Sequence, residues 1–293
     1  MIRVTRVWRA ASVIIFLLSL LALVGCGGDS DGKQKVLKMG LIPADDAAEM
    51  VRNYQPVAAY LEKNLDMEVD IQVTADYTAA IEAMRNKHID LAWFGPFSYI
   101  LAVEEAGAEA LVNGVRRDTG VSTYKSIIIT KAGSGITSLA DLKGRSFAFV
   151  DPASTSGNLI PRKMLLENGI DPDNDFSTSY FAGTHNSVQL AVKNGTVDAG
   201  ADSDNSYDRM VAAGQIDAAE NVIIYESDPI PGSPIAVRGD LPGDLKTKIR
   251  DALLNMDQQT IFQVQGWGNI DRYQAVEDSD YDIIRETAKL LDL

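Results

Sequence analysis

The strongest local signal in this 293-residue chain is Phe147-Ala-Phe-Val-Asp-Pro-Ala-Ser154-Thr155-Ser156-Gly157-Asn-Leu-Ile-Pro161. A buried strand runs into a loop of small hydroxyl residues and then into a helix. Gly157 removes a side chain where a ligand would approach the backbone, and Pro161 suits only a first helical turn. A helix start offers unpaired N–H groups and the positive end of the dipole, the ingredients of an anion site. Ser154, Thr155 and Ser156 add hydroxyl donors without charge, which suits reversible capture. N-capping alone needs one such hydroxyl; three in a row before glycine exceed it.

His185 follows Gly183-Thr184 and precedes a helix. It is one of two histidines, and by itself it reads as a surface or capping residue. His88 sits in a polar turn and no other soft ligands accompany it, so no metal site is expected. Asp202, Ser203, Asp204 and Asn205 follow a strand over Val197–Ala201. A solvated acidic turn accounts for them. So does a site whose anion keeps a proton, because a carboxylate accepts from P–OH and repels a fully ionised oxyanion.

The elements that must position these groups alternate between strand and helix. Strands are expected over Val36–Ile42, Val69–Val73, Ile89–Trp93, Ser126–Thr130, Ser146–Val150 and Val197–Ala201. Helices are expected over Ala47–Asn64, Tyr77–Lys87, Asn158–Asn168 and Val188–Lys193, and the chain from Asp244 onward reads as mainly helical. This alternation predicts an α/β fold with mostly parallel sheet. The stretch Tyr77 to Asp90 can be laid without a gap on His185 to Asp198, both a helix, a polar turn with Asn, and Asp before a buried strand. The overlay suggests two similar lobes, although helix-turn-strand units resemble one another in general. It superposes Tyr77 on His185 at a helix start and Phe94 on Asp202 just past a strand. Ligands of open α/β sheets bind beyond strand carboxyl ends, beside helix N-termini, so the overlay nominates one cleft with a wall from each half.

Net charge is −14. The first 25 residues hold Arg3, Arg6 and Arg9 and no acid, so the remainder is three units more negative, at −17. Such a body is a poor partner for nucleic acid, and any anion site must be built locally against the global field. After the arginines comes an apolar stretch, Val13 to Val24, shorter than the roughly 20 residues of a transmembrane helix. It ends in Leu23-Val24-Gly25-Cys26, which resembles a bacterial lipobox. Residues 1–25 therefore read as a lipoprotein signal peptide and Cys26 as the lipidated, membrane-anchored mature N-terminus. An ordinary signal peptide or signal anchor with a stray cysteine is the plainer alternative. With the chain's single cysteine lipidated, the mature chain can form no disulfide. Residues 26–35 form a flexible Gly/Ser/charged tether. Gly28-Asp29-Ser30-Asp31-Gly32 within it fits the nucleophile-elbow pattern by chance, with no strand before it or helix after it.

At these residues the chain resembles the PhnD-like family, the solute-binding proteins of phosphonate and phosphite ABC importers, including PtxB-type phosphite binders. The matching segments are Thr74-Ala-Asp-Tyr77, Ile89-Asp-Leu-Ala-Trp-Phe-Gly95, Asp151 to Gly157, Gly183-Thr-His185, Val197-Asp-Ala, Ile230-Pro-Gly-Ser-Pro234 and Asp278 to Arg285. The resemblance implies a type II periplasmic-binding-protein fold, two α/β lobes joined by two crossover strands. The expected boundaries are 36–130 with 225–293 for lobe 1 and 131–224 for lobe 2. It implies that Tyr77 from one lobe, and Ser154, Thr155, Ser156 and His185 from the other, hold the oxyanion. Asp202, with Asp204 as alternative, is the expected acceptor for a protonated oxygen. Relatives that take aminoalkyl phosphonates carry acids where this chain has Asn205 and Ser233, and an unpaired buried ammonium costs several kcal/mol. Phe94 stands where many relatives have Tyr and suits an apolar P–H or P–CH₃ group. The expected ligand is therefore phosphite or a small phosphonate such as methylphosphonate, delivered to an ABC permease by a monomeric, extracytoplasmic lipoprotein without cofactor or catalysis. The alternatives are a secreted serine hydrolase or phosphatase using Ser154 or Ser156 with His185, and a ligand-sensing lipoprotein of the same fold.

Overall fold

Apolar runs flanked by capping residues divide the chain into short strands and helices. The computed structural model describes residues 36–264 and 269–293; the signal peptide, Cys26 and the tether lie outside them. The first lobe begins with β1 (Val36–Leu41), α1 (Ala47–Leu65), β2 (Glu68–Val73), α2 (Tyr77–Arg85), β3 (Leu91–Trp93), α3 (Pro96–Ala106) and β4 (Ala108–Arg116). The second contains β5 (Ser126–Lys131), β6 (Ser146–Phe149), α4 (Ile160–Glu167), β7 (Thr178–Phe181), α5 (His185–Lys193), β8 (Ala199–Ser203), α6 (Asp204–Ala212) and β9 (Asn221–Glu226). The chain then returns through β10 (Pro234–Arg238), α7 (Gly243–Leu254), α8 (Gln258–Ile261), β11 (Ile270–Ala275) and α9 (Asp282–Leu290).

One sheet has the order β11-β4-β10-β3-β1-β2 and the other β7-β6-β8-β5-β9. In each, the strands linked by helices run parallel, β2-β1-β3 and β7-β6-β8. The strands that enter from the other lobe, β10 and β5, pair antiparallel with their neighbours. The sheets are therefore mixed rather than mostly parallel. A βαβ unit enforces parallel pairing, whereas a strand arriving from elsewhere is under no such constraint.

The crossovers are residues 117–125 and 227–233, tied by an antiparallel bridge between Tyr124 and Ile230. This moves the expected lobe boundaries. Ser126–Lys131 belongs to the second sheet, where it pairs with β8 and β9, as do the last residues of β9. Ile127, Ile128 and Ile129 are wholly buried, and an apolar run buried on both faces carries no mark of which sheet it joins. The C-terminal region is also less helical than its pattern suggests, because β11 forms the edge beside β4. Its buried residues Ile270 and Tyr273 stand three apart, a helical spacing, because the register shifts between Ile270 and Arg272.

The internal repeat is real in three dimensions. Tyr77 and His185 are the first residues of α2 and α5, helices of 9 residues each. Asp76 Oδ1 caps one by accepting the N–H of Ala79 at 2.6 Å. Thr184 Oγ1 caps the other by accepting that of Ser187 at 3.0 Å. Asn86 and Asn194 close them. Asp90 then accepts the N–H of Lys38 on β1 at 3.0 Å, and Asp198 that of Ser146 on β6 at 2.8 Å. Each carboxylate pins the strand that follows its helix to the centre of its sheet.

Candidate functional site

The carboxyl ends of β1, β3 and β6 face one another across the crossovers, and helix starts from both lobes converge there. Between them lies a small cavity lined by Ile42, Ala44, Tyr77, Trp93, Gly95, Tyr124, Ser154, Thr155, Ser156, His185 and Ser233.

The hydroxyl loop takes its shape from Gly157. A Cβ at this position would stand 2.3 Å from Val150 Cγ2 and 2.9 Å from Ser154 Oγ, so only glycine fits. Gly157 N–H donates to Ser154 Oγ at 3.0 Å and Val150 N–H to the Gly157 carbonyl at 3.0 Å. Residues Thr155–Leu159 form a wide π turn before α4 begins at Ile160. The expected single helix from Asn158 is thus preceded by a π segment, a form common at functional sites, which buries Thr155, Ser156 and Asn158 together. Ser126 Oγ donates to the Ser156 carbonyl at 2.7 Å. Ser154 Oγ and Thr155 Oγ1 both accept backbone N–H groups, the latter from Phe97 of the other lobe at 2.8 Å. Each keeps its own proton to donate.

The tyrosines complete the donor set. Burial, then the nearby Asp151 charge, pushes the Tyr77 hydroxyl well above its ordinary pKa. Burial raises Tyr124 as well, whose hydroxyl lies among those of Thr155, Ser156 and Ser233. Both phenols stay protonated and able to donate. Asp151 is itself raised by burial, and its carboxylate accepts the N–H groups of Ala153 and of Tyr77 across the cleft.

His185 enters through Asp202. Its Nδ1 meets Asp202 Oδ1, whose carboxylate also takes Gln189 Nε2 and, at 2.7 Å, the N–H of Ser203. Any contact of His185 with a ligand therefore runs through Nε2. Asp202 is fully buried and does not line the cavity. The expectation that it accepts a ligand proton gives way to a positioning role behind the imidazole. The alternative, Asp204, is committed to Arg116 Nη1 at 2.7 Å and to the N–H groups of Lys125 and Asn205, each at 2.9 Å. Phe94 is likewise displaced from the wall. It is buried, its N–H donates to the Pro234 carbonyl at 3.0 Å, and Trp93 lines the cavity instead.

The structure thus brings Tyr77, Ser154, Thr155, Ser156 and His185 to one cavity and leaves Phe94 and Asp202 outside it. Tyr124 escaped the sequence reading because it lies in a crossover, where no periodicity marks it. Among the described residues no group of three or more His, Cys, Asp or Glu is placed to hold a metal ion.

Several contacts bind the lobes to each other. His185 N–H donates to the Ala44 carbonyl at 3.1 Å. The buried Asp45 carboxylate meets Arg209 and Asn186, and Arg116 meets Asp204. The cleft is closed.

Two α/β lobes, two crossovers and a donor-lined cleft between them define a type II periplasmic binding protein. Over residues 39–281 the chain matches the periplasmic substrate-binding proteins of phosphonate ABC transporters, and it belongs to that family. It is 30% identical over 297 residues to a phosphate-import protein PhnD of Mycolicibacterium smegmatis, covering 92% of this chain and 91% of that one. It is 29% identical to a phosphonates-binding periplasmic protein of Escherichia coli, covering 81% and 72%. Among solved structures, a binding protein of a Pseudomonas aeruginosa ABC phosphonate transporter superposes with a TM-score of 0.81 at 26% identity, covering 88% and 87%. PhnD1 of Prochlorococcus marinus in complex with methylphosphonate shares the fold, with a TM-score of 0.80 at 24% identity, covering 88% and 98%.

Proposed function

We propose that the chain captures phosphite or a small phosphonate such as methylphosphonate outside the cytoplasm and delivers it, without chemistry, to the permease of an ABC importer. The observation that carries this reading is the hydroxyl turn Ser154–Ser156, which faces Tyr77 across the cleft with His185 beside it. Neutral donors and helix starts surround the cavity, and among the described residues no lysine or arginine lines it. The relatives' ligands, named as phosphate, phosphonates and methylphosphonate, share a phosphorus oxyanion.

His185 and Asp202 have the arrangement of a base and its orienting acid. Ser154 and Thr155, however, hold backbone N–H groups on their oxygens, an arrangement for donating to an anion rather than for nucleophilic attack. Calorimetry on the chain with phosphite, methylphosphonate, phosphate, hypophosphite and 2-aminoethylphosphonate tests the reading. Phosphite or methylphosphonate should bind with a Kd of roughly micromolar or tighter, as several charge-assisted hydrogen bonds provide. Strong binding of 2-aminoethylphosphonate with no heat from phosphite or methylphosphonate would sink the ligand choice. We further propose that Cys26 carries the lipid anchor. Cys26→Ser should move the protein from the membrane to the soluble fraction, and unchanged membrane retention would refute the anchor.

A further inference from the structure

Behind His185 lies a chain of buried amides. Gln189 stands one turn further along α5 and Asn221 opens β9, and both are wholly buried. Asn221 Nδ2 donates to the backbone carbonyl of Gln189 at 3.0 Å and to its Oε1 at 3.1 Å. A backbone carbonyl only accepts, so the Asn221 atom that faces it is the nitrogen. The Gln189 atom that faces this nitrogen is then the oxygen, and Gln189 must turn its Nε2 to Asp202 Oδ2. On the other side the Ser203 N–H reaches Asp202 Oδ1 at 2.7 Å, beside His185 Nδ1.

Two N–H donors and the imidazole thus meet the Asp202 carboxyl. A carboxyl proton on Oδ2 would point at an N–H, so the proton between Asp202 and the ring belongs on His185 Nδ1. A ring protonated there has two states at Nε2: neutral, it accepts; charged, it donates. The other titratable and charged groups around it come from every neighbouring element. Asp151, after β6, lies within electrostatic reach of the ring. The phenols of Tyr77 and Tyr124 share its cavity and are kept protonated by burial. The Asp45–Arg209 pair touches Asn186, the next residue along α5. A phosphonate satisfies Nε2 in either state, because its monoanion donates P–OH to a neutral ring and its dianion accepts from a charged one. A sulfonate, the anion of a strong acid, brings no proton, and beside a neutral ring it sets an oxygen lone pair against a nitrogen lone pair.

We infer that the closed site holds one proton between His185 Nε2 and a ligand oxygen, and so takes tetrahedral anions that can share a proton in preference to sulfonates of the same shape. The inference rests on the reading of this cavity as the oxyanion site. Its test is calorimetry on the full chain in detergent, in buffers of different ionisation enthalpy, which counts the protons exchanged on binding. The ligands are methanesulfonate and the tighter binder of methylphosphonate and phosphite. The working pH is one at which NMR shows the free His185 ring neutral and the free phosphorus ligand doubly ionised. There the phosphorus ligand should draw about one proton from the buffer per molecule bound. Methanesulfonate should bind at least about tenfold more weakly, the loss of one charge-assisted hydrogen bond. The imidazole nitrogen shifts of the free protein should show the neutral ring protonated at Nδ1. In His185→Gln, whose amide donates to an anion without a proton from solution, the uptake should vanish. The inference is overturned, and the oxyanion site stands, if the phosphorus ligand binds without proton uptake or if methanesulfonate binds as tightly. The same holds if the neutral ring carries its proton on Nε2, or if the uptake survives in His185→Gln. If neither phosphite nor methylphosphonate binds, the oxyanion reading fails and the inference with it.

Discussion

Asp202→Asn separates a residue that touches the ligand from one that acts through another. The carboxylate is wholly buried and takes His185 Nδ1, Gln189 Nε2 and the Ser203 N–H. An amide of the same shape has one acceptor oxygen and brings a donor to where a donor already stands. At least one of these bonds is lost, and a buried donor without its partner costs about 1–3 kcal/mol of folding stability. The imidazole also loses the group that fixes its orientation. If a ligand oxyanion draws a charge-assisted hydrogen bond from Nε2, weakening that bond costs about 1.5–3 kcal/mol, a loss of roughly 10- to 150-fold in affinity. The discriminating assay is a double-mutant cycle with His185→Ala, read by calorimetry with methylphosphonate and by urea unfolding. If Asp202 works only through His185, the double variant loses no more affinity than His185→Ala alone. Strictly additive losses would show that Asp202 meets the ligand independently and would refute the assignment.

Further predictions concern shape, closure and pH. Gly157→Ala forces a Cβ against Val150 and should destabilise the fold by about 1–3 kcal/mol, a fall of roughly 2–10 °C in Tm; a melting temperature equal to wild type would show that the loop relaxes freely. Asp45→Asn weakens the buried contact to Arg209 across the cleft without touching the cavity wall. Discounted for the partial exposure of Arg209, it should cost about 1–2 kcal/mol of closure and therefore roughly 5- to 30-fold in affinity. Unchanged affinity would show that closure does not depend on this pair. Burial raises the pKa of Asp151, so the native state binds its proton more tightly than the unfolded chain does. Its contribution is complete below the ordinary carboxylate pKa of about 3.9 and declines as pH rises through the raised folded value. Asp198 is lowered by the Ser146 N–H and hydroxyl; its contribution is present above the ordinary pKa and lost as pH falls through the folded value. Urea unfolding against pH should show Asp151→Asn and Asp198→Asn altering the slope in opposite senses, and slopes of one sign would contradict this account.

The helix starts were legible in the sequence because capping chemistry is local. Ser154 before Gly157 needed only a few neighbouring residues to be read; Asp76 and Thr184, which cap α2 and α5, carry the same local signal but were not singled out. The overlay of Tyr77 on His185 was legible for the same reason, since both lobes repeat one capped helix and one strand-pinning aspartate. The allegiance of Ser126–Lys131 was not, because pairing with β8, some seventy residues further on, leaves no trace in a run of isoleucines. Nor was Tyr124, which stands in a crossover fixed by its bridge to Ile230. Phe94 and Asp202, expected at the ligand, do not line the cavity, and the difference is one of orientation. Phe94 follows β3 and Asp202 lies within the last residues of β8, and position along the chain does not fix which way a side chain turns at a strand end. Trp93 faces the cleft, and Asp202 faces His185 from behind.

The division of donors between lobes explains how a body of charge −17 can both hold and release an anion. Beyond about 8 Å at physiological ionic strength the repulsive field of surface carboxylates is largely screened, so encounter does not require a lysine at the cleft. Close contact then depends on groups that carry no formal charge: hydroxyls, helix starts and phenols kept protonated by burial. Tyr77 sits on the first lobe, and Ser154, Thr155, Ser156 and His185 on the second. Parting the lobes leaves the ligand with one share of donors and returns water to it. A fixed cation would keep its attraction in the open state, whereas donors divided between the lobes act together only when the lobes meet. On the proposed reading affinity is tied to closure, and the contacts that join the lobes, Asp45–Arg209 and Arg116–Asp204, would bias release.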